Sequence, residues 1–137
     1  MTEVTDTGAG GRKLERADAM SPEYMHALLD AYYAEKWNVN DAVLKTLSNW
    51  RDWAVVVRAP DLQRDYTVMI HEGRVTEVTH GKPAQARLLV VMRSATQEKI
   101  YFEETTAAIE AIAGRIKIRG NETERRRMLA AVSYLTW

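Results

Sequence analysis

The residues of this 137-residue chain that could do chemistry are three histidines, paired carboxylates and tyrosines. His71 precedes a predicted hairpin turn at Glu72-Gly73, and His80 lies about six positions beyond it, which places the two rings roughly 20 Å apart at ~3.3 Å per residue. His26 falls on a separate predicted helix, and no HExxH or HxH spacing occurs. The histidines therefore predict no metal site.

Nucleophilic catalysis also finds little support in the sequence. The chain has no cysteine, which excludes thiol nucleophiles, thiolate metal sites, iron–sulfur clusters and disulfide scaffolds. The adjacent carboxylates Glu103 and Glu104 are expected at a helix start, where the helix dipole favours acids for structural reasons. We predict no catalytic residue, although Tyr66 or Tyr101 with a buried acid could still serve an enzyme that acts on apolar rings.

The main local concentration of basic residues comprises Arg115, Lys117, Arg119, Arg125, Arg126 and Arg127. The first three alternate with Ile116 and Ile118. Strand geometry would place the three cations on one face. They could contact a carboxylate, a phosphate headgroup or an anionic bilayer, or they could simply form a solvated face. Lys+Arg and Asp+Glu both number 19, so no overall basic field favours nucleic acid as a partner.

The elements that must position these residues indicate one folded domain. Residues 1–18 are polar and glycine-containing and predict a flexible N-terminal tail, while 19–137 predict the domain. The tail lacks the apolar segment of a secretory signal, and no run approaches the roughly 18 to 20 apolar residues of a membrane span. These features predict a cytoplasmic protein without a cofactor.

Local patterns predict helices at both ends of the domain and strands between them. Ser21 and Asn121 are expected to cap the first and last helices, Ser94 with Gln97 matches a capping box, and Thr105 is expected to open a further helix. Four segments with a period of two predict an antiparallel meander, namely 53–59, 66–72, 74–80 and 87–93. With a fifth strand at 115–119, the chain predicts an α+β fold whose five-stranded, mostly antiparallel sheet is covered by helices on one face.

The segment "GRIKIRGNETERRRML" (114–129) resembles the C-terminal signature of the sterol carrier protein 2 family, a G-K/R-L/I-K-I-x-G-[ND] stretch followed by the last helix. "LLVVMRSATQEKIYFEE" (88–104) resembles the family's strand, serine and helix, and "HEGRVTEVTHG" (71–81) fits its earlier hairpin. The resemblance covers roughly residues 40–135.

The resemblance implies an apolar tunnel, walled by the sheet and capped by the last helix, that holds a sterol, fatty acid, acyl-CoA or similar lipid. The side chains expected in its wall are mostly aliphatic: Trp50, Trp53, Met69, Leu89, Val91, Ile100, Ile109, Ile112, Met128, Val132 and Leu135. The same stripes are equally typical of a filled core. Trp137, the last residue, could close the mouth of a cavity or be an exposed terminus.

Three functions remain open from the sequence. The first is a non-enzymatic carrier of an apolar small molecule that contacts a membrane surface transiently. The second is a small enzyme or biosynthetic accessory factor that acts on a steroid, quinone or polyketide, which requires a titratable side chain inside the cavity. The third is an interaction module that docks a protein on an exposed apolar face. The sequence does not determine the oligomeric state.

Overall fold

A computed structural model describes residues 14–136. Helix α1 (Pro22–Tyr32) continues into a π-helical turn (Tyr33–Trp37), which α2 (Asp41–Thr46) follows. The remaining elements are, in chain order, β1 (Asp52–Ala59), a 3-10 turn (Pro60–Leu62), β2 (Arg64–His71), β3 (Arg74–His80), β4 (Leu88–Met92), α3 (Ser94–Tyr101), α4 (Ala107–Ile112), β5 (Ile116–Gly120) and α5 (Glu122–Val132).

Two of the four predicted helix starts are confirmed by side-chain caps. The Ser21 hydroxyl accepts a hydrogen bond from the amide of Tyr24 at 3.1 Å, and the Asn121 side chain accepts from the amide of Thr123 at 2.9 Å. The prediction at Ser94 was wrong: this residue is the first of α3, and its amide and hydroxyl donate to Asp61.

Helix α4 also begins one residue later than predicted. Thr106, not Thr105, is its cap, and the Thr106 hydroxyl accepts from the amide of Ile109 at 3.2 Å. Glu103 and Glu104 follow α3 rather than opening a helix. Two adjacent threonines have the same capping chemistry, so only the backbone geometry distinguishes them.

The prediction of an α+β fold with five mostly antiparallel strands is confirmed. The sheet order is β3-β2-β1-β4-β5, and three of the four strand pairings are antiparallel. The predicted four-strand meander was wrong in its last step, because β4 returns across the sheet and pairs with β1 in parallel. Strand-like alternation specifies that a segment pairs, but it does not specify its partner.

Helices cover one face of this sheet. Strand residues that point toward the helices, including Val55, Val57, Tyr66 and Val68, join buried residues of α1, α3 and α5 in one hydrophobic cluster. Alternate residues such as Val56, Met69, Leu89 and Val91 lie on the opposite face.

The described end of the predicted tail lies against α3. Leu14 packs on the core, and its amide donates to the hydroxyl of Tyr101 at 3.1 Å. Arg16 forms an ion pair with Glu104 at 2.8 Å and lies over the ring of Phe102. Residues 1–13, the rest of the tail, and Trp137 lie outside the described residues.

The predicted β2–β3 turn is confirmed and forms a packing point for the helices. Glu72 and Gly73 have φ values of 51° and 88°. The Trp37 indole donates to the carbonyl of Gly73 at 2.9 Å. A Cβ atom at Gly73 would lie 2.8 Å from the carbonyl oxygen of Leu44, so both the backbone conformation and the close approach require glycine.

Replacing Gly73 with alanine is therefore expected to lower the free energy of unfolding by about 2–4 kcal/mol, from the left-handed conformation and the clash with α2. Gly81→Ala is the matched control, because Gly81 has a φ of 87° and nothing within 4 Å of its added Cβ. Urea unfolding of both variants separates the two causes. Equal losses would show that the contact with α2 contributes nothing.

Candidate functional site

A cavity of about 50 Å³ lies between the sheet and the helices. Its sheet wall is formed by Val55, Val68, Ile70, Val90, Met92, Ile116 and Ile118. The end of α1 and the π-helical turn contribute Tyr32, Tyr33 and Trp37. The opposite helices contribute Gln97, Ile100, Ala107, Ala111, Met128 and Val132.

Strand pairing explains why these sheet residues share one wall. Residues paired directly across a sheet point to the same face, and Ile116 pairs with Met92 while Ile118 pairs with Val90. The helix α4 presents Ala107 and Ala111, one turn apart, toward the same space. Two alanines cannot fill the volume between α4 and the strands, which leaves room for the cavity.

Two residues that line the cavity each carry a buried polar atom without a partner. The hydroxyl of Tyr32 and the Nε2 amide nitrogen of Gln97 have no hydrogen-bond partner within the described structure. Their residues are 6% and 2% exposed. An unsatisfied buried donor costs about 1–3 kcal/mol of folding free energy, and so each is an unusual feature of a folded protein.

The tyrosines of the cavity are neutral under ordinary conditions. Burial raises the pKa of the Tyr32 hydroxyl well above its usual value, and burial also raises the pKa of Tyr33. Loss of hydration penalises a phenolate in an apolar space. Both phenols therefore stay protonated and cannot act as general bases near neutral pH.

A second, polar recess of about 10 Å³ adjoins the cavity and shares Tyr32 and Ile100 with it. Its wall includes Thr105, Thr106, Leu135 and the ion pair between Lys36 and Glu103. The charged groups of this region thus neutralise each other at the side of the apolar space.

The helix α4 is fixed by a buried carboxylate. Glu110 is 5% exposed and receives hydrogen bonds from Arg115 Nε at 2.6 Å, Arg115 Nη2 at 3.0 Å and the Thr105 hydroxyl at 2.7 Å. The hydrogen bond from Arg115 is the main cause that lowers the pKa of Glu110. This contact holds Ala107 and Ala111 at the cavity.

Some of the predicted wall residues do meet at the cavity. Ile100, Met128 and Val132 line it, and Leu135 lines the adjoining recess. Their contact with a ligand remains a prediction.

The structure places the other predicted wall residues elsewhere. Met69, Leu89 and Val91 lie on the face of the sheet away from the cavity. The sequence of β4 did not reveal this, because every residue of "LLVVM" is apolar and the pattern does not show which residues point inward. Two positions of α4 point outward, and Ile109 and Ile112 are 44% and 88% exposed.

The predicted tryptophans also lie away from the cavity wall. The rings of Trp50 and Trp53 stack on each other with centroids 4.3 Å apart, and Arg87 lies over the Trp53 ring. Trp50 belongs to the filled part of the core.

The basic residues of β5 do not surround the cavity. Lys117 and Arg119 pair with Val91 and Leu89 and share their face of the sheet. The predicted alternation with Ile116 and Ile118 is therefore correct. Both cations lie on the opposite face of the sheet from the cavity, so they could not contact a headgroup bound inside it. Arg115 precedes the strand and is engaged by Glu110.

The sequence did not single out Tyr33, Trp37 or Gln97 as wall residues. Tyr32 ends α1 and Tyr33 begins the π-helical turn, and their local sequence gives no reason to place them at a cavity. Gln97 was interpreted as part of a capping box. The signal that could have located the sheet wall is β5, because the antiparallel partners of Ile116 and Ile118 must point inward with them.

The candidate catalytic tyrosines are occupied by structural hydrogen bonds. The Tyr66 hydroxyl donates to the carbonyl of Pro22 at 2.8 Å, and the Tyr101 hydroxyl donates to Glu35 at 2.9 Å. His26 and His80 share a hydrogen bond of 3.1 Å between α1 and β3. Within residues 14–136, no group of three or more metal-binding side chains is brought together.

No helix among the described residues is long and apolar enough to cross a bilayer. No family model matches the sequence, and no curated protein matches it.

Solved structures of similar fold exist. One, described as a UbiJ-SCP2 ubiquinone synthesis protein, matches with a TM-score of 0.56 at 11% identity over 84% of this chain and 93% of that chain. A crystal structure of sterol carrier protein 2 matches with a TM-score of 0.54 at 18% identity over 80% and 92%. A palmitated sterol carrier protein 2-like protein from Aedes aegypti matches with a TM-score of 0.53 at 16% identity over 82% and 95%. The chain therefore has the sterol carrier protein 2 fold, as its C-terminal segment predicted.

The contact of Glu110 with Arg115 makes a pH-dependent prediction. Because the pKa of Glu110 is lower in the folded protein than its ordinary value of 4.5, its ionised carboxylate stabilises the fold at pH values above 4.5. This stabilisation is lost as the pH falls through the lowered pKa. Glu110→Gln is therefore expected to cost about 1–2 kcal/mol of unfolding free energy at pH 7, with a difference from the unmodified protein that shrinks below pH 4.5. Chemical denaturation at several pH values measures it.

Glu122→Gln is the control for loss of one negative charge, because Glu122 forms an exposed ion pair with Arg126. Its expected effect is below about 0.5 kcal/mol. A loss of similar size in both variants would contradict a special role for Glu110.

Proposed function

We propose that this protein binds an apolar small molecule between its sheet and helices and carries it without changing it chemically. The candidates are a sterol, a fatty acid, an acyl-CoA, a quinone or a related lipid. The observation that carries the proposal is the cavity itself, whose wall is aliphatic and aromatic apart from Gln97 and two phenol hydroxyls. Dispersion and the loss of apolar surface from water would drive binding, at about 25 cal/mol per Å² of surface buried.

The cavity must expand to hold such a ligand. Its 50 Å³ is well below the roughly 300–1,000 Å³ of typical ligand pockets. The last helix is a candidate for this movement, because only Met128, Ala131 and Val132 of α5 are buried. Its polar ties are exposed, such as the Arg87–Glu124 ion pair at 3.1 Å. Displacing α5 would open the wall that Met128 and Val132 form.

The surface around α4 is the proposed place where the protein contacts a membrane in the cytoplasm and exchanges its ligand. This helix faces the cavity with two alanines and exposes Ile109 and Ile112 on its other side. Apolar side chains next to Arg115 would allow transient contact with a bilayer surface without insertion. The palmitated sterol carrier protein 2-like protein from Aedes aegypti, which has the same fold, supports a lipid as cargo.

A second candidate function is that of an accessory factor in the synthesis of an apolar ring compound. The support is the match to a protein described as a ubiquinone synthesis protein. A catalytic version of this function is less favoured, since the described lining residues include no carboxylate, imidazole or amine. A cavity that holds an intermediate for another enzyme is compatible with the same wall.

Substitutions at two adjacent positions of β4 test the proposed site. Val90 lines the cavity, and Val91 lies on the opposite face of the same strand. Val90→Phe is expected to fill the cavity and weaken binding of a fluorescent sterol at least about tenfold. Val91→Phe is expected to leave binding unchanged.

Fluorescence titration measures the affinities, and circular dichroism checks that both variants remain folded. Equal affinities of Val90→Phe and the unmodified protein would contradict ligand binding at this cavity. Loss of binding in Val91→Phe with binding retained in Val90→Phe would move the site to the other face of the sheet.

A further inference from the structure

The unpartnered polar atoms of the cavity are arranged as the polar part of a binding site. The hydroxyl of Tyr32 comes from the end of α1, and the amide nitrogen of Gln97 comes from α3. Both residues line the same cavity. Among the described residues, no other fully buried side-chain nitrogen or oxygen lacks a hydrogen-bond partner.

Hydrogen bonds on either side fix the positions of these two donors. The Tyr24 hydroxyl of α1 donates to Glu98 of α3 at 2.8 Å. The Tyr101 hydroxyl of α3 donates to Glu35 of the π-helical turn at 2.9 Å. Tyr32 and Gln97 therefore belong to helices that are tied to each other and to the π-helical turn, which preorganises the backbone that carries both donors.

We propose that Tyr32 and Gln97 form a polar subsite that recognises a neutral oxygen acceptor, of the carbonyl or quinone type, on an otherwise apolar ligand. This inference rests on the proposed binding function and names the chemical class of its ligand. The phenol hydroxyl and the amide NH₂ both donate, and a carbonyl oxygen has two lone pairs that can accept from them.

The absence of a cation in the described cavity lining favours a neutral carbonyl or quinone ligand over a fatty acid. No lysine, arginine or histidine is among the described residues that line the cavity. The cation of the adjoining recess, Lys36, is already paired with Glu103. A carboxylate in the cavity would be buried without a countercharge, which is strongly unfavourable. A pure hydrocarbon would leave both donors unsatisfied.

Matched probes test the proposal. A 2-alkyl-1,4-naphthoquinone and the 2-alkylnaphthalene with the same chain have nearly the same shape and differ in the two ring oxygens. The unmodified protein is expected to bind the quinone about tenfold or more tightly than the hydrocarbon, by calorimetric titration. Tyr32→Phe and Gln97→Met are each expected to reduce this preference severalfold and leave hydrocarbon binding unchanged.

The unfolding midpoint without ligand supplies a second readout. Tyr32→Phe and Gln97→Met remove groups with no partner, so their midpoints are expected to equal or exceed that of the unmodified protein. Tyr66→Phe is the control, because it loses a 2.8 Å hydrogen bond to Pro22 and should have a lower midpoint with its quinone preference intact.

The outcomes separate this inference from the proposed function. Equal binding of quinone and hydrocarbon by the unmodified protein would overturn the polar subsite and leave the apolar binding site standing. A quinone preference that survives both substitutions would also overturn it. Failure of both probes to bind would overturn the subsite, and the sterol titration of the Val90 and Val91 variants would then decide the proposed function separately. Because the first comparison uses the unmodified protein, the test does not depend on the folding of the variants.

Discussion

The position of β4 between β1 and β5 is the constraint on which the rest of the structure depends. Parallel pairing aligns Val57 with Val90, and antiparallel pairing aligns Val90 with Ile118. Two neighbouring strands thus fix which residues of β4 point inward. A slip of one residue would turn the inward set to the other face and place Leu89 and Val91 in the core. The cavity wall exists because this register is held from both sides.

Polar contacts outside the cavity hold the helices at a distance from that wall. The Glu110–Arg115 contact fixes α4, and the tyrosine–glutamate contacts tie α1 and the π-helical turn to α3. Charge-assisted hydrogen bonds with defined geometry can position an element without filling the space beneath it. The helices are therefore supported at their edges, while small residues such as Ala107 and Ala111 face the interior.

Unfilled volume and unsatisfied polarity occur at the same place in this protein. Elsewhere the core is filled by large side chains such as Trp50, Tyr66 and Tyr101. The hydroxyls of Tyr66 and Tyr101 both donate hydrogen bonds. Beneath α4 and α5 a space remains, and Tyr32 and Gln97, whose donors have no partner, line it. Both features lower the stability of the protein without ligand, and both would be relieved by a ligand of suitable shape that carries an oxygen acceptor. The coincidence is typical of a site where stability is given up for binding.

The sequence by itself determined the features that depend on neighbours along the chain. Caps at Ser21 and Asn121, the turn at Glu72-Gly73 and the alternation of Ile116 and Ile118 follow from side-chain chemistry and strand geometry within a few residues. These local patterns, with the resemblance of the C-terminal segment, were sufficient to predict the α+β class and the fold. The resemblance also named Ile100, Met128 and Val132, which line the cavity, as wall residues.

Only the tertiary structure decided which residues form the wall and where its polar groups point. A strand such as "LLVVM" is apolar at every position, so its inward residues are known only once its partners are known. Tyr32 and Gln97 line the same cavity only because α1 packs against α3, although the two residues are 65 residues apart in the sequence. Local sequence patterns do not encode such contacts, because the free energy of a buried polar atom depends on what surrounds it in space.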